Sequence, residues 1–89
     1  MTQRLFQSML PNGNYLVKAV LSSKEFGAAI RAARKAQGLR QDQLAGATGV
    51  GTRFIVDLEA GKSTAQLGKA LAVVAALGLH LALVDKVTP

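Results

Sequence analysis

Thr52, Arg53, Val56 and Asp57 are the residues of this 89-residue chain whose types and spacing best suit chemistry. On a helical wheel at about 100° per residue they cover one side of a short helix. Phe54, Ile55 and Leu58 gather on the other side, with Glu59 at the border. The apolar set packs back on preceding elements. The other set is free to enter a major groove about 12 Å wide. Its chemistry is non-covalent: hydrogen bonds and methyl contacts.

Bond-making chemistry is poorly served. Gly61-Lys62-Ser63 looks like the end of a phosphate-binding loop, but that motif needs a glycine where Val56 stands and a strand leading in. His80 is the only histidine and reads as a surface or interface residue. Glu25, Asp42, Asp57, Glu59 and Asp85 are scattered, and the absence of cysteine removes disulfides, thiolate nucleophiles and cysteine metal sites. The expectation is a protein that is not an enzyme, with no cofactor, no metal and no catalytic residue.

The composition favours binding partners. A net charge of +6 and a pI near 10.4 attract a polyanion through its phosphates. Hydrophobic residues make up 49% of a chain with only 18% charged residues, more apolar surface than one small domain hides alone. An oligomer is therefore expected. Lys69, Gly78 and His80 interrupt the longest apolar stretch, so no membrane span is expected. The N-terminus has no basic region followed by a long apolar core, so no signal peptide is expected. A cytoplasmic protein fits these features, nucleoid-associated when bound to DNA.

The elements that must position the reading face follow from caps and periodicity. Residues 1–21 are an N-terminal arm or hairpin: Leu5–Leu10 and Tyr15–Leu21 flank Pro11-Asn12-Gly13-Asn14, a turn signal. Ser22 and Glu25 form a capping-box pattern opening a first helix that runs to about Gln37, with Phe26, Ile30 and Ala33 on one face. Arg31 and Lys35 point away as solvated charges. Gly38 ends this helix. A second helix spans Gln41–Thr48 with Leu44 and Ala45 inward; Gly49 ends it and Val50 plugs the turn. The third runs from Thr52 to about Ala60 and Gly61 stops it. A fourth, Thr64–Leu77, carries Leu67, Leu71, Val74 and Leu77 on a wide stripe, with Ala70, Val73 and Ala76 beside it, and Gly78 caps it. Leu79 to Val84 then alternates like a strand with Leu79, Leu81 and Leu83 on one face. A lone strand leaves its backbone groups unpaired, so the same strand of a second subunit is the expected partner.

Arg34, Gly38-Leu39, Gln41, Leu44-Ala45, Gly49-Val50, Ile55, Leu58-Glu59 and Gly61 together resemble the Cro/Xre-type (phage-repressor-like) helix-turn-helix family over about residues 26–77. Arg40 and Gly51 depart from the capping residues usual there. The resemblance implies that Gln41 touches a phosphate and braces the recognition helix. It puts Thr52, Arg53, Val56 and Asp57 on bases: Arg53 on guanine, Val56 on a thymine methyl, Asp57 orienting Arg53 or accepting from cytosine. It assigns Lys62, Ser63 and Thr64 to phosphates, and it makes Arg34 and Glu59 a structural ion pair.

The arm, the Gly61-Lys62-Ser63-Thr64-Ala65-Gln66-Leu67 segment and the Leu-rich end are similar to the HipB-like antitoxin branch. That resemblance implies a homodimeric repressor of a palindromic double-stranded DNA operator and a HipA-like kinase toxin as partner. An ordinary dimeric Xre-type regulator without a toxin, or a protein–protein adaptor using the same helices, are the alternatives. The expected fold is mainly α: a phage-repressor-like helical bundle over residues 22–78, with residues 79–89 a dimerisation strand and tail.

Overall fold

A computed structural model describes residues 8–9, 15–16 and 19–85 of the chain. Two short strands, β1 (Ser8–Met9) and β2 (Tyr15–Leu16), pair antiparallel with Ser8 opposite Leu16 and Met9 opposite Tyr15. The rest of the expected hairpin, including its turn, lies outside the described residues.

Four helices follow: α1 (Ser23–Ala36), α2 (Gln41–Thr48), α3 (Thr52–Glu59) and α4 (Leu67–Ala76). Each sends one large side chain to the same point, for Ile30, Leu44, Ile55 and Val73 are all essentially inaccessible to solvent. Ala45, Leu58, Ala70, Val74 and Leu77 complete the core. Burying each large aliphatic side chain contributes about 1.5–3 kcal/mol, so four helices too short to persist alone hold one another in place. At the far end, Gln37 Nε2 donates to the Leu77 carbonyl at 2.8 Å and ties α1 to the end of α4.

Local sequence explains the helix ends. Ser22 Oγ accepts from the Glu25 N–H at 3.0 Å, as a cap should, but the Glu25 carboxylate accepts from Leu21 N–H, one residue earlier than a capping box predicts. Arg40 offers no acceptor at the start of α2; only the return half of a box forms, with Gln43 Oε1 accepting from Arg40 N–H at 2.8 Å. Gly38, Gly49, Gly61 and Gly78 all hold positive φ where the sequence placed helix stops.

Two glycines do more than end helices. Gly27 sits in the middle of α1, where glycine costs about 1 kcal/mol relative to alanine. A Cβ there would collide with the Leu58 carbonyl oxygen and lie 2.8 Å from that of Glu59, so its bareness lets α1 approach the end of α3. Gly61, at φ +89°, has room for no Cβ either: one would lie 2.9 Å from Lys24 Cα. Ser23 Oγ donates to the Gly61 carbonyl at 3.0 Å and secures the same junction.

The structure corrects the last third of the sequence reading. α4 begins at Leu67 rather than Thr64, because Gln66 keeps an extended backbone and Ala65 tucks against the core before the chain coils. Its buried face is Ala70, Val73, Val74 and Leu77, whereas Leu67 and Leu71, expected on that stripe, are exposed, as is Ala76. Leu79 to Asp85 forms no strand; a single chain supplies no ladder partner for it. Leu79, Leu81, Leu83 and Val84 are left exposed.

Candidate nucleic-acid interface

The reading face is presented by α3 and held from behind by one clasp. Arg34, buried in α1, meets Glu59 through two parallel hydrogen bonds: Nε to Oε2 at 2.6 Å and Nη2 to Oε1 at 2.9 Å. Its remaining Nη1 donates to the Leu39 carbonyl at 2.7 Å, fixing the link between α1 and α2. Gln41 Nε2 donates to the same Glu59 Oε1 at 3.1 Å. One carboxylate at the end of α3 thus joins the first three helices. Bidentate geometry makes such pairs strong and directional.

The charges are tuned accordingly. Burial pushes the Glu59 carboxyl upward, but hydrogen bonds from Arg34 and Gln41, with the positive fields of Arg34 and Arg31, outweigh it and hold it below its ordinary value. Its hydrogen bond to Glu59 raises the pKa of Arg34 despite burial. The pair stays ionised at neutral pH.

On the outer side of α3, Thr52 and Arg53 are exposed, while Val56 and Asp57 are half-buried. Arg53 Nε lies 3.3 Å from Asp57 Oδ1 across one helical turn, with 85% of its own side chain exposed. Lys62 Nζ approaches Asp57 Oδ2 at 3.6 Å, and Lys62 N–H donates to the Asp57 carbonyl at 3.0 Å. Asp57 therefore holds two cations, one at each end of the reading face. The Arg53 contact follows from i, i+4 spacing on α3, whereas the Lys62 contact spans the Gly61 turn and follows no helical spacing. Phe54, expected to pack inward, is half-buried with Lys69 Nζ 5.8 Å from its ring centroid.

The expected phosphate-contacting set divides. Gln41 opens α2, its side chain committed to Glu59, with its backbone N–H in the unpaired first turn. Lys62, Ser63 and Thr64 are exposed but lie in the connection before α4, so the first-turn N–H groups of that helix belong to residues after Gln66. Arg40 pairs instead with Asp42 at 3.0 Å, and that hydrogen bond keeps the Asp42 carboxyl below its ordinary value. Among the described residues, no three His, Cys, Asp or Glu side chains come together as a metal site. No described helix is long and apolar enough to cross a membrane.

Two helices joined by a tight glycine turn, the second with its exposed face braced by the first and by α1, define a helix-turn-helix DNA-binding domain. Comparison with known proteins agrees. The helix-turn-helix family is matched over residues 30–84. The chain is 54% identical over 66 residues to an uncharacterised HTH-type transcriptional regulator, y4mF, of Sinorhizobium fredii, covering 74% of this chain and 87% of that protein. HipB, solved as a HipB-O4 20mer complex and in a HipA-HipB-O2-O3 complex, superposes with a TM-score of 0.72 at 22% identity, over 78% of this chain and 97% of that one. The restriction-modification controller protein C.AhdI from Aeromonas hydrophila gives a TM-score of 0.60 at 29% identity, over 65% of this chain and 84% of that chain. The chain belongs to the Cro/Xre-type helix-turn-helix family of transcriptional regulators.

Proposed function

We propose that this protein is a homodimeric repressor that reads a palindromic operator with α3. The observation that carries the reading is the exposed Thr52 and Arg53, with Val56 and Asp57 beside them, on a helix braced by the Arg34–Glu59 clasp. Arg53 contacts guanine, Val56 a thymine methyl, and Asp57 steers Arg53. Lys62, Ser63, Thr64 and the start of α2 at Gln41 contact phosphates. Leu79, Leu81 and Leu83 pair with their copies in the partner subunit as an antiparallel strand. The two recognition helices then enter successive major grooves about 34 Å apart. The protein works in the cytoplasm, on the nucleoid when bound.

The likeness to HipB, a protein solved together with HipA, supports a more specific role. In that role the protein is the antitoxin of a toxin–antitoxin module, represses its own operon and binds a HipA-like kinase toxin. The likeness to the controller protein C.AhdI favours the plainer reading, a dimeric regulator without a toxin.

The deciding experiment for DNA reading is a selection from random duplexes, followed by titration of the selected duplex at several salt concentrations. A palindromic consensus and a log–log salt slope of several are expected. Sequence-indifferent binding would overturn the repressor reading. Co-expression with the product of the adjacent gene tests the toxin role: a stable complex supports it, and separate elution of the two proteins rejects it.

A further inference from the structure

The positive charge of the described chain is not where a DNA-reading helix would be expected to keep it. α3 carries Arg53 against Asp57 and Glu59, so it has no net positive charge. Arg34, Arg40, Arg53 and Lys62 each lie within salt-bridge distance of a carboxylate. Among the described residues, Lys24, Arg31, Lys35 and Lys69 make no such pair, and the first three belong to α1.

These three share a face. At about 100° per residue, positions 24, 31 and 35 fall within a narrow sector, with Ala28 and Ala32 beside them. They line an open groove of about 400 Å³ together with the exposed Ala28 and Ala32 and with Glu59 and Ala60. Small side chains there let a bulky backbone approach closely. The Glu59 carboxylate at its edge is neutralised by Arg34 and does not oppose an anion.

Continuity ties this groove to the reading face. Ala60, the residue that caps α3, follows the half-buried Val56 by four residues, so the Thr52–Val56 side of α3 leads towards the groove. The other end is tied by contact: Lys24 packs against Gly61, whose neighbour is Lys62. Lys62, Lys24, Arg31 and Lys35 therefore form one basic track leading off the end of the recognition helix.

We infer that the Lys24, Arg31 and Lys35 face of α1 is a second phosphate-binding rim. It takes the DNA backbone flanking the base pairs read by α3. The inference rests on the proposed DNA-reading function and adds a surface to it. The rim is blind to sequence, because lysine and arginine on phosphates position a duplex without reading it.

The test uses the full-length protein and the selected duplex. Arg31→Ala with Lys35→Ala removes two phosphate contacts per subunit, four from the bound dimer, each contributing about 0.9 to the log–log salt slope. Raising salt from about 50 to about 200 mM should then weaken wild type on the order of 150-fold more than the double variant. The preference for selected over scrambled duplex should be unchanged. The charge-conserving pair Arg31→Lys with Lys35→Arg should keep the wild-type slope, and thermal melts should confirm that all three proteins fold. A double-alanine slope equal to wild type overturns the rim alone, and loss of polyglutamate binding by that variant would reassign the face to an acidic protein partner. A wild type with no preference for the selected duplex overturns the rim and the repressor reading together.

Discussion

Asp57 lies one helical turn from Arg53, its Oδ1 3.3 Å from the arginine Nε, and its second oxygen faces Lys62. A carboxylate so placed restrains the arginine and lowers the positive potential of the reading face. Replacing Asp57 by Asn keeps the shape and removes the charge. Binding to scrambled duplex should tighten and the ratio of specific to non-specific affinity should fall. A ratio equal to wild type would remove Asp57 from the specificity set.

Arg53 itself is the residue on which sequence choice should depend most. Arg53→Ala is expected to weaken the selected site by about 1–3 kcal/mol and relax the preference at one base pair. Competition against a panel of single-base-pair variants measures this. A uniform loss across the panel would make Arg53 a phosphate contact instead.

Glu59 links stability to pH. Its carboxyl in the folded chain is held below its ordinary value of 4.5, so the folded state binds its proton less readily than the unfolded state. Its stabilisation is complete above the ordinary carboxylate range and is lost as pH falls through the lower, folded-state value. Glu59→Gln leaves Arg34 buried without its counter-charge, a change that costs about 3–5 kcal/mol in comparable pairs. Urea melts should show wild type well above the variant at pH 7. The gap should narrow steadily below the ordinary carboxylate range, and a gap independent of pH would remove Glu59 from the acid response.

The first three helices and the clasp are legible in the chain because each rests on local chemistry or a strong motif. Ser22, Gly38, Gly49 and Gly61 mark ends that hold in the folded protein. The fourth helix was harder because it carries two apolar stripes. Leu67–Leu71–Val74–Leu77 and the neighbouring Ala70–Val73 both fit a helical period, and packing in the bundle buries Ala70, Val73, Val74 and Leu77 while leaving Leu67 and Leu71 exposed. The Asp57–Lys62 contact crosses a turn, and its spacing matches no regular element. Gly27 is visible as an odd glycine inside a helix, but the carbonyls it admits lie more than thirty residues away.

Gly27 and Gly46 separate close approach from helix propensity. Both are helix-interior glycines, yet a Cβ at Gly46 meets nothing within 4 Å. Gly46→Ala should stabilise the fold by about 0.4–1 kcal/mol. Gly27→Ala drives its methyl into backbone that cannot give way, and the typical cost of overpacking is about 1–3 kcal/mol. Melting temperatures should move in opposite directions. A stabilising Gly27→Ala would mean that α1 and α3 can separate without penalty.

Dimerisation is tested at the end of the chain. Leu79, Leu81 and Leu83 are 39%, 49% and 96% exposed. Leu79 N–H donates to the Val74 carbonyl at 3.0 Å, and among the described residues no strand pairs with the backbone that follows. Pairing with a second copy across a two-fold axis would bury these side chains and satisfy their backbone groups together. An aspartate in that sheet would be an unpaired buried charge, so Leu81→Asp and Leu83→Asp should each halve the mass measured by light scattering. Leu81 also lines a groove with Phe26 and Ala70, so its substitution can disturb the monomer as well. Leu83, almost fully exposed, is the cleaner probe. Leu83→Asp should yield a monomer that keeps its helical circular dichroism but loses affinity for the palindrome, because each half-site then binds alone. If both variants keep the wild-type mass, the strand is not the interface, and the exposed Leu67 and Leu71 of α4 become the apolar surface to test next.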